Sequence, residues 1–167
     1  MKIKRDAFVD EYITDALLLL IRKKEYKDIS ITEICERAGV TRMSFYRNFD
    51  SKEDILKKWI TRITDDFLSE SGISYKEDSA SEYFIKLFTH LEKHKDICQA
   101  LYRAGMIYMV KDEFDRVFIT IHKGEYDDYK SYFLAGGIYN VFLLWLINGC
   151  REKPREIAAR MEKMLIK

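Results

Sequence analysis

The chain has 167 residues, 47% of them hydrophobic and 34% charged, and 29 Lys and Arg against 28 Asp and Glu leave a net charge of +1. This composition excludes a disordered chain and a grossly basic nucleic-acid coat, and the length allows a sizeable core without disulfides or metal. One proline and seven glycines are too few for the turns of an all-β sandwich.

Helical periodicity begins at once. Phe8, Val9, Tyr12, Ile13, Ala16, Leu17 and Leu20 recur at steps of three and four and form one apolar face, followed by the cationic turn Arg22, Lys23 and Lys24. Ser30-Ile-Thr-Glu33 has the pattern of a capping box and opens a short helix, which Gly39 ends as a left-handed cap. Thr41 caps a third helix running through Arg47. Ser51-Lys-Glu-Asp54 is a second capping box, opening a helix over 51–68 with Ile55, Leu56, Trp59, Ile60, Ile63 and Phe67 on its apolar face. The polar stretch 69–81, with Gly72, predicts a linker. Helices are then expected near 80–94, 95–109 and 112–123, with a turn at Gly124. A long apolar helix over about 127–148 ends at Gly149, and a last helix opened by Pro154 runs through Ala158, Met161 and Leu165. There is no strand alternation and no internal repeat, so the expected fold is all-α with about nine helices.

The segment 30–49 reads as helix, glycine turn, helix. Ile34, Val40, Phe45 and Phe49 are spaced to pack both helices against the first one, with Ala38 small enough for a close crossing. That is a helix-turn-helix, whose second helix enters the major groove of DNA. The polar residues suit the task. Thr41 stands at the start of the recognition helix, Arg42 and Arg47 carry donors for guanine edges or phosphates, Tyr46 offers a phenol, and Lys52 puts a cation at the groove wall. The candidate DNA contacts are Thr32, Thr41, Arg42, Met43, Ser44, Tyr46, Arg47, Asn48 and Lys52. Residues 1–62 hold 14 Lys and Arg against 11 Asp and Glu, and the remainder 15 against 17, a mild asymmetry of the right sign for phosphate attraction.

The string from Gly39 to Leu56 closely resembles the signature of the TetR/AcrR family of bacterial transcription regulators. It carries the Gly39-Val40-Thr41 turn, the Tyr46 and Phe49 step, Ser51-Lys52-Glu53, and the pair Ile55 and Leu56. The resemblance spans roughly residues 7–60. Met43 departs from it, standing where the family has a small residue; it either touches a thymine methyl or packs on the preceding turn. Cys35 departs too, replacing an Ala. The stretch Tyr132–Gly149 with Pro154-Arg-Glu-Ile-Ala is similar to the closing helix pair of a short-chained subset, except that Lys153 replaces the Ser before the proline. A cation is a poor N-cap, so that helix start is expected to fray or to shift by one residue. The resemblance implies a DNA-binding domain over 1–50, a connecting helix over 51–68, and a ligand-sensing and dimerisation domain over 69–167. It implies a homodimer on a pseudo-palindromic operator, repression as the commoner mode, and a small-molecule or protein effector.

Fifteen of the 23 aromatic residues lie between Tyr75 and Trp145. Phe84, Phe88, Tyr102, Tyr108, Phe114, Phe118, Tyr139 and Phe142 are the candidates for an effector pocket, a plain aromatic core being the alternative. The helix over 127–148 is apolar nearly all round, which implies burial on two sides. Phe133, Gly136, Gly137, Val141, Leu144, Met161, Met164 and Leu165 are the candidate dimer interface, with a kink or a gap beside a ligand as the other use of the glycines. His90, His94 and Cys98 share one helix face; a partly exposed face fits the lysines between them better than a zinc site. Cys35, Cys98 and Cys150, an odd count without a CxxC pair, read as reduced thiols in a cytoplasmic protein. The opening residues carry charges where a secretory apolar core would sit. The longest purely apolar runs, 16–21 and 141–147, fall far short of the roughly 20 residues of a membrane span. No catalytic motif is present, so neither an enzyme nor a cofactor is expected. The rival readings are a helical adaptor without DNA binding and a metal-binding helical protein.

Overall fold

The structure is a computed structural model, and it describes residues 8–72, 78–121 and 127–165. Among these, nine α-helices follow one another without a strand. They are α1 (Val9–Ile21), α2 (Ile31–Ala38), α3 (Arg42–Asn48), α4 (Lys52–Ser71), α5 (Ala80–Lys93), α6 (Lys95–Arg103), α7 (Tyr108–Ile121), α8 (Asp128–Ile147) and α9 (Pro154–Leu165). A 3₁₀ turn, Tyr26–Asp28, joins α1 to α2.

The N-terminal caps explain where the early helices start. Ser30, Thr41 and Ser51 each accept the backbone N–H three residues on, from Glu33, Ser44 and Asp54. The first and last of these are half boxes. Glu33 turns away to Lys24 at 2.6 Å, and Asp54 takes the Asp50 N–H and the Lys58 ammonium. The full capping box is at Ser79 and Glu82, where each side chain takes the other's backbone N–H and α5 begins. Gly39 closes α2 at φ 67°, a conformation costly to any residue with a Cβ.

Three boundaries differ from the sequence expectation. The connecting helix runs on to Ser71, with Gly72 as its cap. The break expected at 110–111 falls instead at 104–107, where Gly105 takes φ 71° and Met106 N–H returns to the Leu101 carbonyl. Tyr108 therefore opens α7 rather than sitting in the helix before it. The start of α9 is not displaced: Glu156 reaches back to the Lys153 N–H at 2.7 Å, and the Lys153 carbonyl takes two N–H groups of the first turn. The side chain at position 156 supplies what the cation at 153 does not. The turn expected at Gly124 lies outside the described residues.

In the N-terminal unit α2 and α3 cross beneath α1, and α4 closes it. Ile13, Leu17, Ile34, Phe45, Ile55 and Leu56 are fully buried there, and Phe49 nearly so. In the C-terminal unit α9 lies along α5, α8 lies along α7, and α6 packs on α8. Phe84, Phe88, Ile97, Leu101, Phe142, Trp145 and Ala158 fill the centre. By length and composition α8 would suffice to cross a membrane. Its inward side is instead packed through Ala135, Ile138, Phe142, Trp145 and Leu146.

Helix α4 belongs to both units. Its first half is sealed under α1 by Ile55, Leu56, Trp59 and Ile60. Its second half meets α7 through a charged network. Arg116 donates to Asp65 at 2.6 Å and also pairs with Glu113, and Thr61 donates to the other Glu113 oxygen at 3.4 Å.

Candidate nucleic-acid interface and sensor cavity

The recognition helix α3 has one buried side and one free side. Phe45 and Phe49 are inward, and Lys58 takes the Asn48 carbonyl left without a helical partner, its ammonium lying 5.0 Å from the Phe49 ring. On the outer side Thr41, Arg42, Met43, Tyr46 and Arg47 are exposed, Met43 by 68%. Among the described residues neither Arg42 nor Arg47 is paired with a carboxylate. Arg42 leans on Tyr46, 6.0 Å from its ring, and Arg47 reaches only the Met43 sulfur at 3.7 Å. Two guanidinium groups and a phenol thus stand on one free helix face, an arrangement suited to phosphate oxygens and base edges.

The other predicted contacts are more engaged. Ser44 and Asn48 are half-buried, and the Asn48 amide donates to the Ser44 carbonyl at 2.7 Å. The Thr41 hydroxyl caps α3 and donates to Ser44 Oγ. Thr32 is exposed in the first turn of α2. Lys52 is committed to the fold: its ammonium donates to the Tyr26 and Ile29 carbonyls, both at 2.9 Å, and sits 4.2 Å from the Tyr26 ring. The Tyr26 hydroxyl in turn donates to Glu53 at 2.7 Å; burial, and then that carboxylate, push its pKa up. Lys52 and Glu53 therefore clamp the 3₁₀ turn onto α4, and at most one ammonium N–H of Lys52 is left for a phosphate.

The second site is a cavity of about 70 Å³ bounded by α4, α5, α6 and α7. Trp59, Ile63 and Phe67 face it from α4, His90 and His94 from the end of α5, Cys98 from α6, and Glu113, Phe114 and Phe118 from α7. Of the eight aromatic candidates only Phe114 and Phe118 line this space. Phe118 and Phe84 also border a second hollow beside α8. Phe88 and Phe142 are wholly enclosed core residues, Tyr139 is buried against Phe114 and Phe142, and Tyr102 and Tyr108 lie on the surface. The histidines form a partly exposed face, as expected: both are half-buried. His90 is stacked on Phe67 at 4.4 Å, His94 meets Trp59 edge-on at 5.4 Å, and Cys98 is buried. No group of three metal-binding side chains exists among the described residues.

Two family patterns cover most of the chain: "Bacterial regulatory proteins, tetR family" over residues 13–58, and "Transcriptional regulator C-terminal region" over residues 78–167. The second alone spans more than half of the sequence. The chain belongs to the TetR family. It is accordingly a DNA-binding transcriptional regulator with an N-terminal helix-turn-helix and a C-terminal helical domain. The fold is similar to that of a TetR transcriptional regulator from Streptococcus agalactiae 2603V. That similarity has a TM-score of 0.72 at 18% identity and covers 99% of this chain and 98% of that one. It is similar also to the dihydroxyacetone kinase operon activator DhaS, with a TM-score of 0.63 at 17% identity, covering 96% and 95%. No curated protein matches the sequence.

In this TetR-family chain the outer side of α8 is left bare. Tyr129, Tyr132, Phe133, Leu144 and Ile147 are exposed at helical spacing, Phe133 by 78%, and Met164 of α9 stands beside them at 69%. Gly136 and Gly137 lie between, and a Cβ at either would meet nothing within 4 Å. Close approach within this chain therefore does not call for these glycines, and Gly137 borders the hollow beside α8. Val141 is half-buried at the edge of the stripe. Met161 is a correction to the expected interface: it is 5% exposed and turned into its own domain, because α9 packs along α5. The side chain of Leu165 lies outside the described residues.

Burial, then the neighbouring His94 and Lys93, push the His90 pKa down to about 4, and burial lowers that of His94. A histidine titrates near 6.5 when the chain is unfolded, so between about 6.5 and 4 the unfolded state binds more protons. The contribution of neutral His90 to stability is complete above that window and is lost as the pH falls through it. The urea midpoint is expected to drop from about pH 7 to about pH 4.5, and less steeply in His90→Gln. A midpoint independent of pH over that range would show that the imidazole is not shielded.

Proposed function

We propose that the protein is a homodimeric repressor that binds a pseudo-palindromic operator through two copies of α3 and releases it when the C-terminal cavity is occupied. The observation that carries the reading is the outer face of α3, where Arg42 and Arg47 stand without counter-charges on a helix fixed from behind by Phe45 and Phe49. A two-turn helix makes too few contacts to choose a site alone, and two-fold pairing doubles them over half-sites about 34–36 Å apart. The bare side of α8 supplies the pairing surface. Helix α4 supplies the link, since Lys52 and Glu53 grip the helix-turn-helix while Trp59, Ile63 and Phe67 of the same helix line the cavity. An effector shifts the dimer only by its differential affinity for the two states. One similar fold belongs to an operon activator, so the fold itself does not set the sign. Repression is the simpler mode, because occupancy of the site suffices for it.

Base and phosphate contacts are separable by substitution. Arg42→Ala is expected to cost about 1–3 kcal/mol at one base step and to relax the choice of base there, whereas Tyr46→Phe weakens binding to all duplexes alike. Competition binding against a set of single-base operator variants checks this. An Arg42→Ala protein that keeps the wild-type order of preference removes Arg42 from base reading.

A further inference from the structure

The walls of the cavity between α4 and α7 define what fits inside it. About 70 Å³ is open to the centres of water-sized molecules. At roughly 10–15 Å³ per water centre and about 30 Å³ of liquid per water, that corresponds to about five to seven waters, or about 150–200 Å³ of liquid. One six-membered ring with a substituent has that bulk. Trp59, Phe67, Tyr83, Phe114 and Phe118 offer ring faces and edges, aliphatic side chains complete the apolar lining, and the Thr64 hydroxyl donates to the Ile60 carbonyl.

One edge is polar. The His90 and His94 rings lie 5.0 Å apart, and among the described residues no hydrogen bond occupies either imidazole. Both are held neutral by burial, so each presents one donor and one acceptor nitrogen. Together with Ile63 and Phe67 they also line the open groove on the outside of α4 and α5. These four half-buried side chains therefore lie between the cavity and the outer groove, on the side where α4 meets α5. Charge is already balanced on the wall. Glu113 is matched by Arg116 and by Thr61, so a ligand of either charge would leave its solvent and meet no free counter-charge.

We propose that the cavity binds an uncharged single-ring aromatic bearing a hydroxyl, a phenol in its simplest form, with the hydroxyl held by the His90 and His94 pair. This names the effector class of the sensor half, and to that extent it rests on the regulator reading.

The test uses the full chain and three single-ring probes, phenol and toluene of nearly equal size and the charged benzoate, each titrated calorimetrically. Phenol is expected to bind about tenfold more tightly than toluene, the worth of one hydrogen bond, and benzoate not to bind measurably. His90→Leu and His94→Leu should remove most of that preference while toluene still binds, which shows the cavity intact, and His90→Gln should restore part of it. Equal affinities for phenol and toluene, no binding of any probe, or benzoate as the tightest ligand would overturn the assignment, as would a preference untouched in both leucine variants. Retardation of the protein's own upstream DNA is measured in parallel. Retardation without phenol preference ends this proposal and leaves the regulator reading standing. Phenol preference without retardation does the reverse.

Discussion

Replacing Gly137 by leucine is expected to give a folded monomer that has lost its operator. In the single chain an added Cβ at this position meets nothing within 4 Å, and glycine inside a helix costs about 1 kcal/mol relative to alanine. The substitution is therefore neutral or stabilising for the isolated fold, and its damage falls on whatever packs against α8 from outside. Phe133 and Leu144 flank the glycine along the helix, both largely exposed, so a helix approaching there would meet the new side chain head on. A mismatch of that size in a packed interface costs about 1–3 kcal/mol per subunit, and two-fold symmetry applies it twice. Sedimentation should show a shift from dimer to monomer at micromolar concentration with an unchanged helical spectrum. A Gly137→Leu protein that remains dimeric would place the interface elsewhere.

Phe45→Ala should be the most damaging single change in the DNA-binding unit. The ring is 0% exposed and meets Tyr46 edge-on at 5.3 Å and Phe49 at 6.2 Å. Truncating a buried phenylalanine costs about 3–5 kcal/mol, a large share of the roughly 5–15 kcal/mol that holds a domain together. With seven residues α3 has little stability of its own, so DNA affinity should fall with the melting temperature. Phe45→Leu, which keeps most of the volume, should retain both. An alanine variant within about 1 kcal/mol of the wild type by urea titration would mean that α3 is positioned by its caps rather than by this ring.

The parts legible in the sequence are those set by local chemistry. Ser30, Thr41 and Ser51 cap where their spacing says they should, and Gly39 turns where only glycine turns cheaply. The break at Gly105 was equally local but lay hidden in a run that also fits a helix. What local pattern does not contain is the convergence of separate helices. Periodicity shows that Phe88, Phe114 and Phe142 point inward, but only the packing of α4 to α7 decides that Phe114 borders a void while Phe88 and Phe142 do not. The spacing of His90, His94 and Cys98 was visible as one face. That the two half-buried rings are covered on one side depends on Phe67 and Trp59, more than twenty residues upstream. Lys52 shows the same limit from the other side. A cation at a helix start suggests a phosphate contact, while the carbonyls of Tyr26 and Ile29 that engage it belong to a turn brought near only by folding.

The most direct measurement is fluorescence anisotropy of a labelled duplex from the region upstream of the protein's own coding sequence, titrated with the wild-type protein beside an unrelated duplex of equal length. Specific recognition requires the upstream duplex to bind at least about a thousandfold more tightly. With about six phosphate contacts its affinity should fall about a thousandfold between 50 and 200 mM salt. Equal affinity for the two duplexes, or binding indifferent to salt, would contradict a DNA-reading role for the α3 face.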